Sequence, residues 1–335
     1  MSDKAPTLVE VAAHAGVSLA TASRVLNGSE RRVKPDLQER VLASARSLGY
    51  SANVQAQAVA RGTSNVVALV VGDIADPYFS SIASGVMHVA DERGLIVTIT
   101  ATGPYAGAES VAREEAALAA LRGQRPRAVV LAGSRVVGVE AAGGSAAGAF
   151  SASSERVAAI GSGAPGLRSI AVDNAGGAAA LARELRGLGY ADFSVLAGPP
   201  ELVTVRERVD GFRSVVLGAD VRHAEFSREG GHRAMAELLA SGARPDCVFA
   251  VTDVMAVGAM TAVREAGLTP GADIALAGFD DIPLAADLAP ALTSVSLPLA
   301  EIGARALELA LADTPAADAP AITAEVRLRA STPGH

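Results

Sequence analysis

Ser18, Thr21, Ser23, Arg24 and Asn27 fall within one ten-residue stretch and bring together three hydroxyls, a guanidinium and an amide. Such groups reach phosphate oxygens and base edges in the major groove of DNA. Leu19 and Ala20, beside them, offer apolar contact to thymine methyls but little hydrogen-bond code. Other chemistries find no motif. Residues 161–166 spell G-x-G-x-x-G after the strand-like run 157–160. A dinucleotide site, however, needs a helix to begin at the glycines, and here Pro165-Gly166 leads into a second strand-like run, 167–172. There is no H-E-x-x-H or G-x-S-x-G, neither Lys4 nor Lys34 follows a phosphate-loop glycine pattern, and the five His lie too far apart for a local metal motif. The lone Cys247 rules out an internal disulfide or a Cys-rich zinc site. The expectation is a binding protein with no catalytic residue, metal or cofactor. A sugar-modifying α/β protein with a helical appendage is the alternative class, and turnover of a candidate ligand separates the two.

The DNA-reading groups need a helix to hold them. Thr7-Leu8-Val9-Glu10 fits a capping box, so a first helix starts at Leu8, buries Leu8, Val11, Ala12 and Ala15, and stops at Gly16. Ser18 caps a second helix through about Leu26, ended by Asn27-Gly28. Two short helices joined by a tight turn read as a helix-turn-helix, with small Ala12 allowing a close crossing. Pro35 opens a third helix that carries Val41, Leu42, Ala45 and Leu48 to Gly49. By itself this pattern also fits a generic three-helix bundle. Residues 53–61 form a short helical stretch between Asn53 and Gly62, too short to be helical alone in water.

The remaining chain is different in kind. Half of the 335 residues are hydrophobic, only 3% are aromatic and none is Trp, which favours a small-residue α/β core. No apolar run approaches the ~20 residues of a membrane span, and residues 1–6 show no export region, so a cytoplasmic protein is expected. Residues 1–64 hold eight Lys and Arg against five Asp and Glu, a net +3 that leaves −10 for the rest of a chain of charge −7. That asymmetry suits a head that meets polyphosphate and a body that does not, although ordinary charge scatter gives the same count. From Asn65, strand-like runs at 66–71, 96–100, 128–131, 170–172, 193–197, 247–251 and 274–278 alternate with helical stretches at 78–92, 108–121, 175–188, 205–217, 230–240 and 254–266. The predicted fold is an all-α helix-turn-helix head plus an α/β body of two doubly wound parallel-sheet subdomains, with ligand between them beyond the carboxyl ends of the strands. Residues 139–154, rich in Gly, Ala and Ser, read as loop or weak helix.

Residues 11–27, V-A-A-H-A-G-V-S-L-A-T-A-S-R-V-L-N, resemble the head of the LacI family of bacterial transcriptional repressors. The likeness continues through D-I-A-D-P-Y-F (73–79), L-A-G-P (196–199), R-E-R-V-D-G-F (206–212), T-D-V-M-A-V-G (252–258), G-F-D-D (278–281), L-T-S-V (292–295) and V-R-L-R-A-S-T (326–332). It implies a DNA-binding domain at 1–52, a hinge helix at 53–64 and a periplasmic-binding-protein-like effector and dimerisation domain at 65–335. The two subdomains are then 65–165 with 298–318, and 166–297 with 319–332. By resemblance the hinge pairs with its dimer mate in the minor groove, Asn53 capping it, Ala56 allowing close approach and Val59 in place of a Leu wedge; a plain flexible linker is the other reading. Arg208 grips the effector, Asp280 accepts from a hydroxyl, Tyr78, Phe79 and Phe226 line the cleft, and Asp73, Thr252 and Asp253 complete the set. Thr252 stands where the family commonly has Asn, and Gly161 where sugar-binding members carry Asp. The implied protein is a homodimer on a palindromic double-stranded operator, released by a small-molecule effector, most simply a sugar. A corepressor logic with a non-sugar effector uses the same parts.

Overall fold

The structure is a computed structural model that describes residues 6–27, 33–51, 64–103, 107–133, 156–161, 167–313 and 321–334. The chain divides into two compact units, residues 1–65 and 66–335. In the first, α1 (Leu8–Ala15) begins with the predicted capping box: the Thr7 N–H donates to Glu10 Oε2 at 2.6 Å, and the Glu10 N–H donates back to Thr7 Oγ1 at 3.4 Å. Gly16 ends it at φ +62°, and a Cβ there would lie 2.8 Å from Arg40 Nη2. That guanidinium donates to the Ala15 carbonyl at 2.5 Å, and the left-handed φ is what makes glycine the residue of choice at this turn. Helices α2 (Leu19–Asn27) and α3 (Pro35–Leu48) complete the unit around Val11, Ala12, Ala15, Ala22, Val41 and Ala45. The expected hinge and the 139–154 segment lie outside the described residues.

In the second unit, β1 (Val66–Val71), α4 (Pro77–Glu92), β2 (Ile96–Ala101), α5 (Gly107–Gln124), β3 (Ala128–Ala132), β4 (Val157–Ile160) and β5 (Arg168–Ile170) follow in order. Their strands form a parallel sheet in the order β2-β1-β3-β4-β5. The chain continues with α6 (Asn174–Gly187), β6 (Phe193–Ala197), α7 (Val203–Arg213), β7 (Asp220–His223), α8 (Arg228–Ala240), β8 (Cys247–Ala250), α9 (Asp253–Glu265), β9 (Ala275–Asp280), β10 (Thr293–Ser296), α10 (Leu299–Leu311) and β11 (Glu325–Arg327). The second sheet runs β11-β10-β9-β8-β6-β7, parallel except for β11. Apolar strands such as β3 and β6 are buried along their whole length, as strands covered on both faces must be.

Helix α10 packs on α4. The approach is close enough that a Cβ on Gly85 would lie 1.8 Å from the Ala300 carbonyl oxygen, and one on Gly303 2.0 Å from that of Ile82. Three details differ from the sequence reading. The first half extends past residue 165, because β5 pairs with β4 through residue 170. The helix expected at 205–217 ends at Arg213. Strands β7, β10 and β11 were not anticipated: D-V-R-H and E-V-R are short, polar edge strands, and T-S-V-S is polar yet buried, so none shows a strong apolar run. Among the described residues no helix is long and apolar enough to cross a membrane.

Candidate functional site

The residues expected to contact DNA fall at the start and along the length of α2. Ser18 Oγ accepts from the Thr21 N–H at 3.1 Å and lies 2.9 Å from Thr21 Oγ1, so it caps the helix. Ser18, Leu19, Ala20 and Arg24 are exposed, and Thr21 and Ser23 are half-buried. Leu19, at the helix start, is 49% exposed. Asn27 closes α2. Asn53, Ala56 and Val59 lie outside the described residues.

The body holds a cavity of about 570 Å³, lined by the ends of strands and the starts of helices from both sheets. Arg208, on α7 and 3% exposed, is among its lining residues. Its Nε donates to Asn174 Oδ1 at 2.9 Å, Nη1 to the Val251 carbonyl at 2.7 Å and Nη2 to Asp280 Oδ1 at 2.7 Å. Its Cζ lies 3.8 Å from the centre of the Phe279 ring, so the planar guanidinium is fixed in direction and in height. Asn174 in turn donates to Glu207 Oε2 at 2.8 Å.

Asp280 ends β9 at φ +108°, and Asp281 follows at φ +53°, both in the left-handed region that favours glycine. Contacts around Asp281 hold this turn: its N–H donates to Ser294 Oγ at 3.1 Å and its carboxylate pairs with Arg329 at 2.7 Å and Arg327 at 3.3 Å. Burial pushes the Asp280 carboxyl up to about 6, against the opposing pull of Arg208. Burial likewise raises Asp76, against the opposing Tyr78 N–H, and raises the Tyr78 phenol.

Tyr78 and Phe79 meet edge to face at 5.0 Å between ring centres at the start of α4, and both line the cavity, as do Asp73, Phe226 and Thr252. Phe226 is seated over Gly198, where a Cβ would come within 2.4 Å of its ring. Thr252 caps α9 through the Met255 N–H at 3.4 Å. Gly161 also lines the cavity, at φ +99°.

One expectation needs correction. Asp253 does not line the cavity: it is fully buried, accepting from Ser294 Oγ at 2.6 Å and from the Ile282 N–H at 2.8 Å. Both its oxygens are taken by the protein, so it braces the turn after β9 rather than touching a ligand. Sequence reasoning also missed Asp76, Asn174, Glu225, Ser227, Arg228 and Glu229, all of which line the cavity. Asn174 and Ser227 each lie just beyond a strand or at a helix start, which was the available signal.

A helix-turn-helix unit followed by a two-sheet α/β body with a polar-floored cavity defines a class: DNA-binding regulators that carry a ligand-binding body. Residues 7–53 match the family described as bacterial regulatory proteins, lacI family, and residues 182–332 match the periplasmic binding protein-like domain. The chain is 32% identical to the HTH-type transcriptional regulator GalS of Salmonella typhimurium, over 91% of this chain and 89% of that protein. The Lac repressor dimer bound to operator and the anti-inducer ONPF superposes with a TM-score of 0.80 at 26% identity, covering 98% of this chain and 99% of that one. A transcriptional regulator CelR–cellobiose complex superposes at 0.66 with 28% identity, covering 97% and 99%. The chain belongs to the LacI family of bacterial transcriptional regulators.

Proposed function

We propose that this cytoplasmic regulator is a repressor that binds a palindromic operator as a homodimer and lets go when a small polyhydroxylated effector, a sugar, fills the body cavity. The observation that carries the effector assignment is the buried Arg208–Asp280 pair at the cavity, 2.7 Å apart. A guanidinium has five N–H donors, and the protein bonds described above orient the plane of Arg208, so its remaining donors and the second oxygen of Asp280 form a fixed donor and acceptor for adjacent hydroxyls. Tyr78, Phe79 and Phe226 supply apolar faces for the C–H surfaces of a ring. Cellobiose in the CelR complex supports a saccharide.

In this reading Ser18, Thr21, Ser23, Arg24 and Asn27 contact phosphates and base edges, with Leu19 and Ala20 against thymine methyls. Asn53, Ala56 and Val59 belong to a hinge that orders in the minor groove. Effector and operator each weaken the other's binding by the same factor. Selection of genomic fragments by the full-length protein, with and without mono- and disaccharides, tests this directly. Enrichment of a palindrome that one sugar abolishes is the expected result. A palindrome strengthened by the ligand would reverse the sign to corepression, and no enrichment would remove the reading of the head.

A further inference from the structure

Asn174, the first residue of α6, is 3% exposed, and each end of its amide has a partner on α7. Its Oδ1 accepts from Arg208 Nε at 2.9 Å, and its Nδ2 donates to Glu207 Oε2 at 2.8 Å. Asn174 and Arg208 line the cavity, whereas Glu207, half-buried, is not among its lining residues.

The backbone brings these three groups together. A Cβ on Gly211 would lie 2.2 Å from the Ala175 carbonyl oxygen, so α7 passes close to the start of α6, and Glu207 stands one turn before Gly211 on the same face. Asn174 is held from the other side. Its N–H donates to the Val172 carbonyl at 2.9 Å, the Asp173 N–H donates to that of Ile322 at 3.1 Å, and Asp173 Oδ1 caps the helix through the Gly176 N–H at 2.8 Å. What remains to be chosen is which end of the amide faces which neighbour. A guanidinium offers only donors and an ionised carboxylate only acceptors, so the observed orientation makes both bonds and the reversed one loses both.

We propose that Glu207 is a positioning residue for the effector: through Asn174 it fixes the direction in which the Arg208 guanidinium meets a ligand hydroxyl. This role rests on the effector reading above. Val251 and Asp280 hold the two tips of the guanidinium fork, and Asn174 holds its stem. A hydroxyl that draws on Asp280 loosens one tip, and the stem contact then keeps the group in place.

Full-length protein carrying isotope-labelled arginine tests this by the hydrogen exchange of the Arg208 Nε–H, identified by its loss in Arg208→Lys, together with titration of galactose and cellobiose. Glu207→Leu should speed that exchange and weaken sugar binding, each by about tenfold, while operator binding persists. Glu207→Gln, which still accepts from Asn174, should stay close to the unsubstituted protein. Glu207→Lys presents a donor, favours the reversed amide and should act at least as strongly as Glu207→Leu. Adding Asn174→Asp to Glu207→Lys places a carboxylate between two cations and should recover both readouts. A slow Nε–H and unchanged sugar affinity in either Glu207→Leu or Glu207→Lys, whatever happens to the melting temperature, overturns the proposal and leaves Glu207 as a tie between α6 and α7. If neither sugar binds the unsubstituted protein, the saccharide reading falls, and the Nε–H exchange still decides whether Glu207 aims Arg208.

Discussion

The two halves of the body reach the same cavity with opposite resources. The first half brings Gly72, Gly103, Gly133 and Gly161 to the ends of its strands, small residues that let a ligand approach backbone. The second half brings Asn174, Arg208, Thr252 and Asp280, side chains that are themselves buried. Among the described residues every buried charged side chain, Arg208, Asp253 and Asp280, belongs to that second half. The buried polar cluster therefore belongs to one half, and the other half meets it at the cavity with α4, whose start supplies Asp76, Tyr78 and Phe79.

Removing the central grip tests the contrast most severely. Arg208→Ala leaves Asp280 buried without its partner and should lower stability by about 3–5 kcal/mol. Effector response should disappear while operator binding by the surviving folded protein persists; retained induction in a reporter or mobility-shift assay would end the assignment. On the closing half, Gly85→Ala drives a methyl group into the Ala300 carbonyl and should cost about 1–3 kcal/mol in a urea melt. Because α4 then shifts, effector affinity should fall even though the Arg208 cluster is untouched.

The buried charges also predict where pH acts. Burial, and then Asp280, hold the Asp253 carboxyl well above its ordinary range. Between the unfolded value of about 3.9 and the raised folded one, the native state keeps a proton that the unfolded state releases. Stability should therefore fall as pH rises through that window, by up to about 1.4 kcal/mol per pH unit from this group. Asp253→Asn can still accept from the Ile282 N–H, and it should remove that slope. Urea midpoints at pH 5, 6 and 7 that move in parallel for both proteins would show that Asp253 is not the source. The smallest effect on stability is Gly161→Ala, whose left-handed φ should cost about 1 kcal/mol in a urea melt, while its added methyl, projecting into the cavity, should lower effector affinity.

Legibility followed the range of the interactions. Thr7 with Glu10, Ser18 with Thr21, and Gly16 are contacts within a few residues, so the head's helices could be drawn from the sequence almost as they stand. The alternation of strands and helices was likewise visible, except where strands were short or polar, as in β7 and β10. Arg208 and Asp280 were found through their motifs, but not their geometry: the pair spans 72 residues, and the Ser294–Asp253 bond beneath them spans 41.

The sequence by itself determined the helix-turn-helix and most of the alternation of strands and helices, because caps, periodicity and turn glycines act locally. Only the tertiary structure decided that Asp253 braces a turn while Asp76 faces the cavity, and that Arg208 meets Asn174, Val251 and Asp280 at once. Those outcomes depend on which strand ends and helix starts the two sheets bring together, and no local pattern along the chain encodes that meeting.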